Sequence, residues 1–339
     1  MKDYESLMKR RSHVVLLGAG ASVAAIPNGD KNGKKTSVMS GFIEKLGMRD
    51  IFDTITLKTK SDNLEDIYSE IVSSNEHKEF CKELEKRIYD YFSSFAIPDE
   101  PTVYDYLLLS LTSKDLIATF NWDPLLLQAY QRVQRLTENL PQVVFLHGNV
   151  MVGICHEHKK AGLISMRCPE CKQMFKSMEL LFPVSEKDYE RDPLIADSWQ
   201  CVKRYLEKAY MFTVFGYSAP VSDKAAIDLL KYAWGESAHR DLEEVELIDI
   251  RKEDELRQTW DAFIHTHHYS IHESFFDSTL GRFPRRSCES TFDRLMNCDS
   301  LYDSKGFKSG MTFDDCDIFL QPLFEDEFNS KGKLNNPYK

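Results

Sequence analysis

The chain has 339 residues, 42% of them hydrophobic and 29% charged, with 43 Lys+Arg against 54 Asp+Glu and a net charge of −11. That length allows one large domain with insertions, or two domains. The acidic balance argues against nucleic-acid binding through bulk charge, because phosphate contacts need a local excess of Lys and Arg; Arg282, Arg285 and Arg286 are a possible local basic patch. No apolar run approaches the ~20 residues of a membrane helix. The start, Met1-Lys2-Asp3-Tyr4-Glu5-Ser6, is polar and lacks a signal-peptide core. A cytoplasmic protein without a membrane partner is expected. In a reducing compartment, paired spacing among 8 cysteines suggests metal more than disulfides.

Residues 12 to 17 form a short apolar run ending in glycine, the pattern of a buried parallel strand feeding a turn and a helix. Residues 29 to 33 are a polar loop. From 63 to 93 apolar residues recur at helical spacing (Leu64, Ile67, Tyr68, Ile71, then Phe80, Leu84, Ile88, Phe92), which predicts a helical insertion at about 41–100. Residues 103 to 111 predict a helix, 116 to 120 a strand, 124 to 133 a helix with Pro124 in its first turn, and 143 to 146 a strand. Residues 153 to 176 carry cysteines and fit no sheet strand well. Strands follow at 210 to 215 and 245 to 250, with a helix at 225 to 234 between them. This alternation argues for an α/β fold, a Rossmann-like doubly wound parallel sheet. His265-Thr266-His267-His268, with His272, has no carboxylate or cysteine at ligand spacing and reads as a strand or loop feature. After about 260 the pattern weakens. The expected division is therefore a domain over 1–260 and an extension of unassigned fold over 261–339.

Three clusters carry the chemistry. After the first strand comes Gly18-Ala19-Gly20-Ala21-Ser22. Small residues there let the backbone turn tightly and approach a pyrophosphate. The next helix offers its amides and dipole to that anion. Ser22 adds a hydroxyl donor. Val23 lies where the third glycine of the dinucleotide fingerprint would fall, so the loop by itself also fits a turn that binds nothing. Two further strand ends are polar: Asn121-Trp122-Asp123 follows 116 to 120, and His147-Gly148-Asn149 follows 143 to 146. In a doubly wound sheet, ligands sit at the carboxyl ends of strands. Asn121 can donate to and accept from a ribose or a water. His147 titrates near neutrality and can act as a general base. Asn121 or Asp123 can equally cap the helix that follows.

Cys155-His156-Glu157-His158 precedes Cys168-Pro169-Glu170-Cys171. Two knuckles of this spacing, joined by a short hairpin, make a tetrahedral zinc site of three thiolates and one imidazole. Cys155, His158, Cys168 and Cys171 are the expected ligands, with His156 a rival for the fourth place. The zinc module spans about 151–180. The remaining cysteines (Cys81, Cys201, Cys288, Cys298, Cys316) are scattered and read as packing residues.

In this order, the glycine loop, the Thr-x-Asn-x-Asp motif at 119–123, the His-Gly pair and the cysteine knuckles resemble the sirtuins over roughly residues 12 to 255. The resemblance implies that Gly18, Ala19, Gly20 and Ser22 hold the pyrophosphate of NAD⁺. It puts Asn121 and Asp123 at the nicotinamide ribose and makes His147 the general base. Gly216-Tyr217-Ser218 matches the family's Gly-Thr-Ser strand end near the adenosine ribose, and Asp249 and Arg251 match the region that contacts adenosine. The implied zinc is structural.

The chain departs from the protein deacylases on the peptide side. Ala25-Ile26-Pro27 is followed by Asn28-Gly29-Asp30 rather than by the family's Asp-Phe-Arg. Leu181-Phe182-Pro183-Val184 stands where the family has Phe-Gly-Glu, and Phe120 and Trp122 flank Asn121. An NAD⁺ side retained and a peptide side eroded resemble the sirtuin-like branch that hydrolyses NAD⁺ in bacterial antiphage defence. That branch implies a homo-oligomer or work beside a partner defence protein such as an ATPase. The alternatives are an NAD-dependent deacylase and a non-catalytic NAD⁺ or ADP-ribose binder.

Overall fold

The computed structural model describes residues 11–36, 57–61, 63–74, 78–182, 192–220, 223–236, 240, 242–264, 268–297 and 306–329, with Phe42, Gly47, Phe52, Ile55 and Tyr189 between them. Much of the first half of the expected insertion and residues 265–267 of the histidine cluster lie outside the described residues.

Six strands build the main sheet: β1 (His13–Leu17), β2 (Leu116–Thr119), β3 (Gln142–Phe145), β7 (Met211–Phe215), β8 (Glu244–Ile248) and β9 (Tyr269–His272). Their order is β3-β2-β1-β7-β8-β9, and every neighbouring pair is parallel. Counted within the sheet this is the 3-2-1-4-5-6 order of the doubly wound Rossmann fold, whose strand order reverses between the first and fourth strands. Here that point lies between β1 and β7.

The sheet is covered on both faces, and β1 shows why its sequence is a continuous apolar run. Val15 and Leu17 pack into one core and Val14 and Leu16 into another, all four with no solvent exposure. The first core is filled by α1 (Ala19–Ala25), α2 (Leu64–Ser74), α3 (Lys78–Ser93), α4 (Val103–Leu109) and α5 (Leu125–Val133). The second is filled by α6 (Pro193–Leu206), α7 (Lys224–Trp234) and α8 (Glu253–Trp260). Helices α2 and α3 occupy the described part of the expected insertion, and the expected main-sheet strands and other helices are present with ends shifted by a residue or two.

Residues 153 to 176 are not strandless. They hold a three-stranded antiparallel sheet in the order β5-β4-β6, made of β4 (Val152–Cys155), β5 (Lys160–Leu163) and β6 (Lys176–Ser177). Such short, half-exposed strands around glycine and cysteine give no apolar run to read.

The boundary expected at residue 260 falls inside the sheet, because β9 lies beyond it and pairs with β8. Beyond β9 come α9 (Thr279–Arg282), α10 (Ser287–Asn297) and α11 (Phe313–Asn329), and these residues are locked onto the body. The Arg285 amide donates to Ser110 O at 2.7 Å, and its guanidinium donates to Leu111 O, Asn139 O and the Glu327 carboxylate. Arg286 pairs with Asp326 and Glu327. Both arginine side chains are fully buried, so they form no surface patch for nucleic acid.

Candidate functional site

At the reversal point two glycine turns press together. The Gly18 amide donates to Phe215 O at 3.0 Å and the Gly20 amide to Gly216 O at 2.9 Å. A Cβ on Gly20 would sit 2.8 Å from Gly216 Cα, and one on Gly216 would sit 2.4 Å from the Ala21 nitrogen. Gly216 also has φ +62°, the left-handed region. The glycines at 18, 20 and 216 are therefore needed for this contact before any ligand is considered. Two of the loop amides are spent on the carbonyls of Phe215, the last residue of β7, and of Gly216 just after it, while Ala19 begins α1.

The end of β2 is tied into that turn by its side chains. Asn121 Nδ2 donates to Gly18 O at 2.8 Å, Ser22 Oγ at 3.0 Å and Tyr104 Oη at 3.1 Å. Ser22 Oγ donates to Asp123 Oδ2 at 2.6 Å and lies 2.7 Å from Tyr104 Oη. Asp123 Oδ1 accepts the Leu125 amide at 3.1 Å, which makes it the cap of α5. Burial pushes the Asp123 carboxyl above its usual range, opposed by these hydrogen bonds. Burial likewise holds the Tyr104 phenol far above its ordinary pKa, so it stays a donor. The structure thus brings Gly18, Ser22, Asn121 and Asp123 together, with Ser22 and Asp123 buried behind Asn121, which is only partly buried.

Two members of this cluster had no sequence-level role. Tyr104 is one residue among several at helical spacing in α4, and nothing in that spacing separates it from a core tyrosine. Asn149 is fully buried, with Nδ2 donating to Asp123 O at 2.7 Å and Oδ1 accepting the Met151 amide. It binds the end of β3 to the end of β2. Its place directly after His147-Gly148 is the signal that was there to read.

His147 is 6% exposed and stands in an aromatic wall. Its ring lies 4.6 Å from Phe120 and 6.0 Å from Tyr189, nearly parallel to the latter at 13°. Phe120 stacks on Tyr217 at 4.4 Å, so the aromatic wall runs from His147 to the β7 turn. The His147 carbonyl accepts the Trp122 indole N–H at 3.1 Å and the Leu181 amide at 2.9 Å. Trp122 is 4% exposed and packs on Phe92 and Phe182, the core role its size suggests. Gly148 has φ +83° and a Cβ there would meet Glu179 O at 2.6 Å, so the segment leaving the small sheet lies against His147's own loop.

The remaining candidates follow β7 and β8. Ser218 is exposed. Asp249 is paired with Arg251 at 2.9 Å, and Arg251 also donates to Tyr217 O at 3.3 Å. That bridge ties the β8 turn to the β7 turn beside Gly216.

In the small sheet, ligand atoms of Cys155, His158, Cys168 and Cys171 lie within 4.8 Å of one another. Cys155 Sγ is 3.5 Å from His158 Nδ1 and 3.6 Å from Cys171 Sγ, and Cys168 Sγ is 3.8 Å from His158 Nδ1. A tetrahedron with Zn–S near ~2.3 Å and Zn–N near ~2.0 Å requires edges of about 3.5 to 3.8 Å. The four residues fit zinc, with Nδ1 of His158 inward and Nε2 held 3.3 Å from Glu170 as an outer partner. His156 is exposed and outside the cluster. Of the other cysteines, Cys201, Cys288 and Cys316 are buried and Cys81 is half-buried.

No family model matches the chain, and no curated protein does. Among solved structures it is similar to a serine-to-alanine variant of a Sir2 homologue in complex with ADP-ribose, at 14% identity and TM-score 0.43, covering 86% of this chain and 98% of that one. A Sir2 enzyme structure described for its mechanism and regulation is similar at 14% identity and TM-score 0.42, over 86% and 96% of the two chains. A Sir2 homologue–NAD complex is similar at 15% identity and TM-score 0.37, over 87% and 96%.

Proposed function

We propose that this chain is an NAD⁺ hydrolase that breaks the bond between nicotinamide and ribose, releasing nicotinamide and ADP-ribose. The observation that carries the reading is the Asn121 side chain. Its amide hydrogens reach Gly18 O, Ser22 Oγ and Tyr104 Oη, and its carbonyl oxygen is left to accept a ribose hydroxyl at the strand-order reversal, where dinucleotides bind in this fold. In this reading Gly18, Ala19 and Gly20 shape the turn under the pyrophosphate, with Ser22 and Asp123 fixing Asn121 from behind. Gly216, Ser218 and Asp249 line the adenosine side. Nicotinamide leaves as a neutral ring from a cationic one, so cleavage passes through an oxocarbenium-like transition state. His147 takes the proton of the attacking water, a contribution of roughly 10² to 10⁴ in rate.

The same proposal places zinc in the small sheet as a brace rather than a reactant. It assigns the enzyme to the cytoplasm, to antiphage defence by NAD⁺ depletion, and to activation by self-assembly or by a partner such as an ATPase. A reaction mixture of pure protein and NAD⁺, with and without an acetyl-lysine peptide, tests it through nicotinamide, ADP-ribose and O-acetyl-ADP-ribose. Peptide-independent nicotinamide with ADP-ribose is expected, and His147→Ala should lower it at least 10²-fold. Release only with peptide would make it a deacylase. Saturable binding of ADP-ribose without turnover would make it a binding module. A monomer by sizing that is fully active would remove the activation requirement.

A further inference from the structure

Two hydrogen-bonding groups beside His147 have no role in the mechanism above. Tyr189 Oη and Trp199 Nε1 are buried, and neither meets a hydrogen-bond partner among the described residues. Each residue is 7% exposed. Buried polar atoms are almost always paired, because an unpaired one has given up its water without replacement. Both belong to the wall around His147. The Tyr189 ring lies 6.0 Å from His147, Trp199 packs on Tyr189 at 4.8 Å, and Trp199 reaches Phe120 at 6.1 Å. Apolar rings would fill this wall as well, without two orphaned polar atoms.

We propose that Tyr189 and Trp199 form the acceptor subsite of the reaction, holding the small hydroxyl compound, water in the hydrolysis, that attacks the ribose. The inference rests on the hydrolase reading and deepens it. The Trp199 indole is a donor only and engages one lone pair of the water oxygen. The Tyr189 oxygen accepts one of the water hydrogens. The other hydrogen leaves as a proton toward His147, and the second lone pair forms the bond to the ribose carbon. The electron pair of the breaking carbon–nitrogen bond passes to the nicotinamide ring, so NAD⁺ and water give ADP-ribose, nicotinamide and one proton. Burial keeps the Tyr189 phenol protonated, because its pKa is pushed well above the usual phenol value. Both are positioning residues for the nucleophile. They also give the site a means to distinguish water from larger alcohols.

Tyr189→Phe and Trp199→Phe keep a ring in place and remove the polar atom. Each should lower kcat for nicotinamide release by about tenfold, the worth of one hydrogen bond realised in the transition state, with KM for NAD⁺ within twofold. With methanol added, the ratio of methyl-ADP-ribose to ADP-ribose should shift in both variants. Unchanged kcat and unchanged partitioning in both would overturn the proposal, as would a fall in thermal midpoint that accounts for the whole loss. A crystal structure of the wild-type chain gives a reading independent of turnover. A water or small polar molecule within hydrogen-bond distance of both Tyr189 Oη and Trp199 Nε1 is expected, and dry packing around both atoms overturns the subsite whatever the assay gives. A wild-type protein that shows such a molecule but releases no nicotinamide overturns the hydrolase reading, and with it the role of that molecule as nucleophile.

Discussion

Asn121 illustrates how a candidate site residue can also hold the fold together. Its amide joins three elements through Gly18, Ser22 and Tyr104. Asn121→Ala would therefore strip partners from the buried Ser22–Tyr104–Asp123 group and cost about 1 to 3 kcal/mol of stability, besides any activity. Lost turnover in that variant alone would not identify a ribose contact. Asn121→Asp is more informative, because it has nearly the same shape but no amide donors and faces Asp123. Its thermal midpoint should fall at least as far as that of Asn121→Ala, measured by calorimetry. An unchanged midpoint would mean the amide bonds carry little.

A second residue-scale case is His13, at the start of β1 and fully buried. Its Nε2 lies 2.6 Å from Thr213 Oγ1 and its Nδ1 2.8 Å from Ser287 Oγ, while Thr213 donates to Glu246 at 2.9 Å. Since Thr213 gives its proton to Glu246, Nε2 of His13 is the protonated nitrogen and Ser287 donates to Nδ1. Burial, aided by the Lys114 ammonium, pushes the His13 pKa down to about 3. The unfolded chain, near ~6.5, then binds the proton first, so stability is lost as pH falls from about 6.5 toward 3 and is untouched above. At pH 5 the difference is about 2 kcal/mol, from 1.5 pH units at ~1.36 kcal/mol each. Denaturant titrations at pH 7 and pH 5 should show His13→Gln losing less stability than wild type by roughly that amount. Equal losses would mean His13 gains a proton in the fold.

At the scale of elements, legibility followed hydrophobic continuity. β1, β2, β7 and β8 are buried throughout, and the edge strand β3, with only Val144 buried, is still marked by its run Val-Val-Phe. β9 is half-buried at the sheet edge and reads Tyr-Ser-Ile-His, which announces no strand. The small sheet is invisible to periodicity, yet its cysteine spacing fixes its chemistry, because a tetrahedral ion needs these donors whatever the strands do. The module is coupled to the candidate site through its exit segment, where the Leu181 amide holds the His147 carbonyl and Gly148 lies against Glu179. Purified protein should contain one zinc per chain by elemental analysis, and Cys168→Ser should lose it. Under the proposed function, in which zinc braces the His147 loop, chelation should lower the thermal midpoint and nicotinamide release together. Metal-free protein with full activity would sever that coupling.

At the scale of the molecule, the order of motifs along the chain was readable, and the closing of the fold was not. Neighbouring strands of the sheet are parallel, and each connection from one of its strands to the next carries at least one helix. The return of residues 269–297 and 306–329 onto the sheet depends on polar pairs that have no pattern. Glu246 is fully buried and accepts from Thr213 and from the Thr279 amide, and His13 accepts from Ser287. Lys114 pairs with Glu289, and Arg285 and Arg286 meet Glu327. A chain ending at residue 260 would lack β9 and would leave Glu246 without the Thr279 amide, His13 without Ser287 and Lys114 without Glu289. An unpaired buried charge such as that of Lys114 costs several kcal/mol, a large share of the whole stability of a domain. Residues 1–260 expressed alone should therefore lack a cooperative thermal transition, while the 339-residue chain shows one. A soluble, cooperatively melting 1–260 fragment would show that the extension is a separate unit, and that β9 and the buried ion pairs close the sheet without holding it.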